Sequence, residues 1–310
     1  MTKFPKFSQW KQLFKVLIGI ERKIFLILVL IALASATYLT VNFYINNTEI
    51  APTYSGTYIE GVVGQPRFIN PIYGETNDID RTLIGLIYSG LMSYDKDGNL
   101  IADLIKSYQV SENGQVYTFE LKDNLYWHDG VPLTVDDVIY TIKTIQNSDY
   151  KSSLRANWLN IETQKISEKS FAFTLGSPYN SFLENCAVKI IPQHIWKNVP
   201  PENFALSSYN LQPIGSGPYI FSDIEQANTG FIKNLKLTAN NKYYNKRPYI
   251  STIFFRFFNT REDLVKSAGQ KLIDGFSIFT LDSNEVLSEK QINQAWTMNE
   301  KFTNYSFPMP

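Results

Sequence analysis

Residues 88–142 read YSGLMSYDKDGNLIADLIKSYQVSENGQVYTFELKDNLYWHDGVPLTVDDVIYTI, and this stretch decides the fold class. Asp97-Gly98 and Asn113-Gly114 each lie between strand-like runs, and both dipeptides accept the positive φ of tight hairpin turns. Between 116 and 121, polar or small side chains alternate with large apolar ones, so one face of this strand packs and the other meets solvent. The stretch therefore predicts paired strands joined by hairpins.

A helix is predicted directly after these strands. Thr134 has the form of an N-cap, and Asp137 three residues later completes a variant of the capping box before an apolar periodic run that reaches Ile142. Upstream, a first strand is expected around Tyr58, and Asn70-Pro71 turns the chain toward a helix at 79–88. Strands and helices in this order indicate an α/β scaffold.

Three further segments add to this pattern. They are FAFTLGSPYNSFL at 171–183, IPQHIW at 191–196 and PIGSGPY at 213–219. In this order, together with 88–142, they resemble the extracellular solute-binding proteins of family 5, the peptide- and nickel-type binding proteins of ABC importers. The resemblance covers about residues 58–280.

The resemblance implies a type II periplasmic-binding-protein fold of class α/β. Lobe one is expected at 58–257, with an inserted subdomain at about 81–186, and residues 258–310 are expected to form only the start of a second lobe. Family members are typically longer than 310 residues. We therefore expect either a fragment of a longer reading frame or a reduced, single-lobe form.

An apolar segment near the N-terminus is predicted to cross a membrane. Residues 24–45 carry no charge and match the length of a helix that spans a hydrocarbon core of about 30 Å. The basic segment 1–23 predicts a cytoplasmic N-terminus and an extracytoplasmic C-terminal domain, joined by a linker at 46–57. Ala34-Ser35-Ala36 keeps a cleaved signal peptide open as the alternative.

Composition excludes several classes of function. Lys and Arg total 29 and Asp and Glu total 29, so nucleic-acid binding has no electrostatic support. The single Cys186 excludes an intrachain disulfide framework. No G-x-S-x-G, P-loop or H-E-x-x-H pattern occurs, and we expect no catalysis, no metal site and no cofactor. His128 is interpreted as part of a hydrogen-bonded turn and His194 as a partly buried residue at a helix start.

The glycines in PIGSGPY permit two interpretations. Successive backbone N–H groups at Gly215 and Gly217 can form an anion-binding nest. Alternatively, these glycines allow two backbone segments to approach closely, and the strand-like run that follows favours this second interpretation.

Candidate ligand contacts follow from the resemblance. In the family, the loop after the first strand reaches the ligand cleft, and here that loop contains Tyr73, Gly74, Glu75 and Thr76. Glu75 is a candidate partner for a peptide amino terminus, with a solvated surface acid as the alternative. Tyr150 matches a position where the family places an aromatic side chain near the ligand, with packing in the core as the alternative.

The resemblance implies the extracytoplasmic substrate-binding component of an ABC importer that binds oligopeptides, and the apolar segment 24–45 predicts that this component is anchored in the membrane. Its partners would be the solute and the permease subunits of the importer. The alternative function is a truncated, single-lobe, membrane-tethered module for interaction or signalling.

Overall fold

The computed structural model of the protein describes residues 19–48, 52–73 and 77–277. Most of the predicted basic segment and the expected start of lobe two beyond residue 277 lie outside these residues. The described chain consists of an N-terminal helical unit and a folded unit that begins at Tyr54.

The N-terminal unit is one long helix, α1 (Ile20–Asn47), which includes the predicted apolar segment. Among the described residues it is the one helix long and apolar enough to cross a membrane. Thr37 and Thr40 donate their hydroxyl hydrogens to the carbonyl oxygens of Leu33 and Ala36, at 2.9 and 2.8 Å, so these polar groups are satisfied within the helix. The helix continues unbroken through the small residues at 34–36.

The folded unit contains both strands and helices. Its strands are β1 (Thr57–Val63), β2 (Met92–Tyr94), β3 (Leu100–Ala102), β4 (Ile105–Val110), β5 (Val116–Leu121), β6 (Ile161–Lys165), β7 (Ser170–Leu175), β8 (Tyr219–Gln226), β9 (Ile232–Ala239), β10 (Thr252–Phe258) and β11 (Gly275–Ser277). Its α-helices are α2 (Asp78–Ile87), α3 (Val135–Gln146), α4 (Arg155–Trp158), α5 (Phe182–Asn185), α6 (Gln193–Trp196), α7 (Pro201–Phe204) and α8 (Arg261–Gly269). Short 3₁₀ turns occur at Ser148–Tyr150 and Ser208–Asn210.

The main sheet has the strand order β11-β1-β10-β9-β8. β1 pairs in parallel with both β10 and β11, whereas β9 and β8 continue the sheet in antiparallel fashion. After β10, α8 packs on β1 and the chain returns to the sheet as β11. The described residues after 257 thus extend the main sheet, and the predicted lobe boundary at 257 stays a prediction.

A second, antiparallel sheet with the order β4-β5-β7-β6 lies within the predicted subdomain. Gly98 and Gly114 have φ values of 81° and 68°, which confirms the positive φ expected at the hairpin turns. The side chains of β5 alternate between partly exposed and buried, as the sequence predicts. One face of this sheet therefore packs into the core.

Aromatic rings fill the core under this sheet. Phe173 is fully buried and lies 5.5 Å from the ring of Trp158 and 6.0 Å from that of Phe182, both in edge-on geometry. Phe119 stacks on Phe171 at 5.3 Å. Edge-on and offset contacts of this kind are the favoured geometries for aromatic pairs. The large rings of β5 and β7 therefore join the sheet to α4 and α5.

The helix starts follow their capping residues. Asn77 caps α2 by accepting the N–H of Ile79 at 2.9 Å. Thr134 and Asp137 form the predicted capping box of α3, in which the Asp137 carboxylate accepts the Thr134 N–H at 2.8 Å. The Asp137 carboxylate also accepts the N–H of Gln193 at 2.8 Å, so the same side chain fastens α6 to α3.

Two glycines allow the main sheet to meet the end of α2. A Cβ placed on Gly215 would lie 1.9 Å from the carbonyl oxygen of Ile87, and one placed on Gly217 would lie 2.7 Å from its carbonyl carbon. Gly217 donates its N–H to that Ile87 oxygen at 2.8 Å. The interpretation of these glycines as positions of close backbone approach is therefore confirmed.

The imidazole of His128 also contacts both glycines at this crossing. Its imidazole Nδ1 accepts the N–H of Gly215 at 3.2 Å, and its Nε2 lies 3.0 Å from the carbonyl oxygen of Gly217. Both contacts are satisfied only by a neutral ring with the proton on Nε2. Burial lowers the pKa of His128 to about 4, which keeps the ring neutral. His128 is thus part of a hydrogen-bonded turn, as predicted.

The first prediction concerns the close approach at Gly215. Gly215→Ala forces a methyl group against the Ile87 carbonyl, and we expect a loss of about 3 kcal/mol or more in the free energy of unfolding. Urea denaturation followed by circular dichroism measures this loss. Gly85→Ala is the matched control, because Gly85 lies in α2 with open space around its Cα and alanine favours helix. Equal stability of the two variants would contradict the close approach.

The second prediction concerns pH. Between pH 6.5 and about 4 the unfolded chain binds a proton on His128 while the folded chain does not, so stability falls as pH falls through this window. Below about pH 4, the loss of unfolding free energy caused by His128 reaches about 3 kcal/mol. His128→Gln retains a donor and an acceptor but does not titrate, so its urea midpoint should fall less over this window than that of the wild type. Parallel pH profiles would show that folding does not lower the pKa of His128.

Candidate functional site

The parallel strands of the main sheet end at one edge. β1 and β10 run side by side, and the N–H of Gly64, directly after β1, donates to the carbonyl oxygen of Phe258 at 2.8 Å. Open α/β sheets bind ligands outside the carboxyl ends of their parallel strands. The loop that starts at Gly64 is therefore the first place to look for a site.

A buried carboxylate holds the start of this loop. Asp80, in the first turn of α2, accepts the N–H groups of Arg67 and Phe68 at 2.8 and 3.0 Å and is 1% exposed. Burial raises the pKa of Asp80, and the two backbone N–H groups act in the opposite direction. The loop backbone is thus tied to the helix that follows it.

The second half of the loop is tied to distant segments. Asn70 donates its side-chain N–H to the side-chain oxygen of Asn210 at 2.9 Å, and the N–H of Ile69 donates to the Asn210 carbonyl at 2.8 Å. Ser152 donates its hydroxyl hydrogen to the carbonyl oxygen of Ile72 at 2.9 Å. These bonds bring the loop beside the turn at 148–150 and the segment that follows α7.

The loop then contributes to a group of aromatic side chains that we call the aromatic platform: Phe68, Tyr73, Tyr140, Tyr150 and Phe204. Phe204 is fully buried at its centre, and the other four are partly exposed. The Phe204 ring lies 4.8 Å from that of Tyr150 and 6.0 Å from that of Tyr73, both in edge-on geometry. Phe68 lies 5.3 Å from Tyr73. The platform is therefore a packed base with partly exposed rings around it.

The phenols of the platform stay protonated at neutral pH. Burial raises the pKa of Tyr140 to about 12 and raises the pKa values of Tyr73 and Tyr150 above their ordinary value. Among the described residues, the enclosed Tyr140 hydroxyl faces those of Thr144 and Tyr150 but makes no hydrogen bond of good geometry with either.

Negative charge lies beside these phenols. The carboxylates of Asp149 and Glu202, both exposed, add to burial in raising the pKa of Tyr150. In the part of the chain that the structure describes, no group of three or more His, Cys, Asp or Glu side chains is placed to hold a metal ion. The platform thus offers ring surface, hydroxyl groups and nearby acids to a ligand.

The structure places two of the sequence-predicted site residues together. Tyr73 and Tyr150 both pack on Phe204, although they come from different loops. The remaining three, Gly74, Glu75 and Thr76, lie outside the described residues, and their role as ligand contacts stays a prediction.

Sequence reasoning missed three members of the platform. Tyr140 lies in α3 beside buried residues, and no sequence motif marks it. Phe68 precedes the Asn70-Pro71 turn, and Phe204 lies in a short helix that carries no motif. Only tertiary contacts bring these rings to one place.

The family model described as Bacterial extracellular solute-binding proteins, family 5 Middle matches residues 99–309. The chain belongs to this family. Its mixed α/β architecture is that of the periplasmic binding proteins, as the sequence predicts.

Two curated relatives are peptide-binding proteins by name. The chain is 27% identical over 279 residues to the oligopeptide-binding protein AppA of Bacillus subtilis, covering 79% of this chain and 50% of the relative. It is 29% identical over 232 residues to a putative ABC transporter peptide-binding protein of Brucella ovis, covering 74% and 42%. The chain therefore spans half or less of the length of these two curated relatives.

Two solved structures share the fold. NikZ from Campylobacter jejuni in complex with Ni(L-His) superposes with a TM-score of 0.63 at 30% identity, covering 70% of this chain and 42% of that one. AppA from Bacillus subtilis in complex with a nonapeptide gives a TM-score of 0.67 at 27% identity, covering 74% and 45%. One of these proteins was solved with a peptide and the other with a nickel chelate.

The third prediction concerns the tie between α2 and the loop after β1. Asp80→Ala leaves the N–H groups of Arg67 and Phe68 without their acceptor, and we expect a loss of about 2 kcal/mol in the free energy of unfolding. Urea denaturation measures it. The control is Asp78→Ala in the same helical turn, because Asp78 forms a half-exposed ion pair with Arg81 worth less than about 1 kcal/mol. Equal losses of unfolding free energy in the two variants would show that the hydrogen bonds from Arg67 and Phe68 to Asp80 do not stabilise the fold.

Proposed function

We propose that the chain is the substrate-binding component of an ABC importer, that it binds oligopeptides, and that α1 anchors it in the membrane with the folded unit on the extracytoplasmic side. The observation that carries the peptide proposal is the aromatic platform, to which the loop after β1 contributes Phe68 and Tyr73. The family and the peptide-binding relatives support the same class of ligand.

The platform suits an extended peptide for physical reasons. Exposed rings offer apolar surface to side chains of any type, and the phenolic hydroxyl groups donate to, or accept from, main-chain groups. Glu202 and Asp149 lie close enough to Tyr150 to attract a peptide amino terminus, and Glu75 is proposed as a further acid for this role. Tyr73, Gly74 and Thr76 would line the same loop.

Anchoring by α1 rests on its length and composition. A helix of 28 residues is about 42 Å long, which exceeds the hydrocarbon core of a bilayer. The basic residues before it favour a cytoplasmic N-terminus. The permease subunits of the importer are the proposed protein partners, since an importer's binding component delivers its solute to them.

The fourth prediction tests peptide binding by the platform. We expect isothermal titration of the 310-residue chain in detergent to show binding of peptides of graded length. Tyr150→Ala should weaken this binding about tenfold, the effect expected when a ring that contacts the ligand is removed. Tyr179→Ala is the control, because Tyr179 is 49% exposed and lies outside the platform.

Two results would contradict the proposal. Binding of a nickel–histidine chelate with no binding of any peptide would reassign the ligand class. If neither Tyr150→Ala nor Tyr179→Ala changes the affinity for peptides, the peptide binds somewhere other than the platform. Circular dichroism of each variant shows that the fold is retained.

A further inference from the structure

A group of aromatic and basic side chains lies where the chain enters the folded unit. Tyr54 stacks on Tyr249 with ring centroids 4.8 Å apart and planes at 21°. The guanidinium carbon of Arg247 lies 5.2 Å from the Tyr54 ring centroid, and the ammonium nitrogen of Lys246 lies 4.9 Å from that of Tyr249. We call these four residues the basic patch. Each cation is thus placed on an aromatic ring, a favourable arrangement.

The positive charge of the basic patch is not compensated by acids. Neither Lys246 nor Arg247 forms an ion pair with a carboxylate among the residues that the structure describes. Residues 239–250 contain a third cation, the exposed Lys242, and no acidic residue. The Tyr249 hydroxyl raises the pKa of Lys246 above its ordinary value, so this amine stays charged at neutral pH. The patch therefore presents net positive charge to its surroundings.

One donor of the patch has no acceptor within the described chain. The Nε atom of Arg247 is enclosed and makes no hydrogen bond there. The ring contact fixes the guanidinium without using its N–H groups as donors to an oxygen. Arginine and lysine in such positions recognise oxyanions, and arginine suits phosphate because its fork of N–H groups matches the phosphate oxygens.

The position of the patch along the chain points to the source of that phosphate. Tyr54 is the first residue of the folded unit, and residues 48–53 alone separate it from α1. This length of extended chain spans at most about 25 Å. If α1 lies in a bilayer, the basic patch contains the residue of the folded unit, Tyr54, that the fewest residues separate from the membrane-spanning helix. Its tyrosines also suit an interface, where one end of the side chain is apolar and the other wet.

We propose that the basic patch binds the phosphate groups of anionic phospholipids in the membrane that holds α1, and so orients the folded unit on that surface. This proposal rests on the proposed membrane insertion of α1, but it is independent of the solute. Lys246 and Arg247 contact the lipid phosphates, and the rings of Tyr249 and Tyr54 hold these two cations in place. The interaction is electrostatic and weakens as salt screens the charges.

The fifth prediction compares the 310-residue chain in nanodiscs of phosphatidylcholine with the same chain in nanodiscs containing an equal share of phosphatidylglycerol. Hydrogen exchange of the backbone amides in 242–250 reports on the patch. We expect this exchange to slow about fivefold or more in the anionic nanodiscs, as each cation near an anionic surface contributes a factor of about five. Raising the salt concentration should remove the difference.

Variants separate lipid binding from a purely structural role of the stack. Lys246→Gln combined with Arg247→Gln should abolish the dependence on phosphatidylglycerol. Lys106→Gln combined with Lys169→Gln is the control, because these exposed lysines pair with acids elsewhere in the folded unit and should leave the dependence intact. Exchange in 111–116, a hairpin turn distant in sequence, serves as the internal reference in every sample.

Three outcomes would overturn the proposal. The first is equal exchange at 242–250 in the two kinds of nanodisc. The second is equal protection by inorganic phosphate added to phosphatidylcholine nanodiscs, which would make the patch a site for a soluble anion. The third is failure of the chain to incorporate into either nanodisc. That last result would also contradict the proposal that α1 is a membrane anchor. It would not bear on the proposal of peptide binding, which the isothermal titration tests separately.

Discussion

The folded unit depends on one crossing of backbone segments, where the end of α2 meets the chain that leads into β8. Gly215 and Gly217 come so close to the Ile87 carbonyl that no larger residue fits at either position. His128, from the turn before α3, bonds both glycines and is held neutral by burial. This crossing joins the subdomain that carries β4 to β7 to the main sheet.

The candidate site is built outward from the same framework. α2 supplies Asp80, which holds the loop after β1, and the loop in turn bonds to Asn210 and Ser152. The bonds to Asn210 and Ser152 satisfy buried polar groups that would otherwise lack a partner, so the loop has little freedom to move away. The aromatic platform is therefore supported by backbone hydrogen bonds rather than by ring contacts alone. Such preorganisation lowers the entropic cost of binding a flexible ligand.

The electrostatics of the folded unit differ between its two notable surfaces. Near the platform, exposed acids lie beside protonated phenols, which favours a ligand with a positive end. At the basic patch, cations lie on tyrosine rings without acidic partners, which favours an anionic surface. A net formal charge of +0 for the whole chain hides this separation. Local composition, such as the absence of acids in 239–250, is the more informative quantity here.

The sequence alone determined the local structure, because hairpin glycines, capping residues and alternating side chains act over a few neighbouring residues. The turns at Gly98 and Gly114 and the capping box at Thr134 followed from such signals, whereas the family followed from the resemblance of several motifs in order along the chain. It also pointed to Tyr73 and Tyr150, through the family resemblance. Only the tertiary structure decided that both rings rest on Phe204 and that Tyr54 stacks on Tyr249. Those contacts join residues far apart in the chain, and no local pattern records which distant segments will pack together.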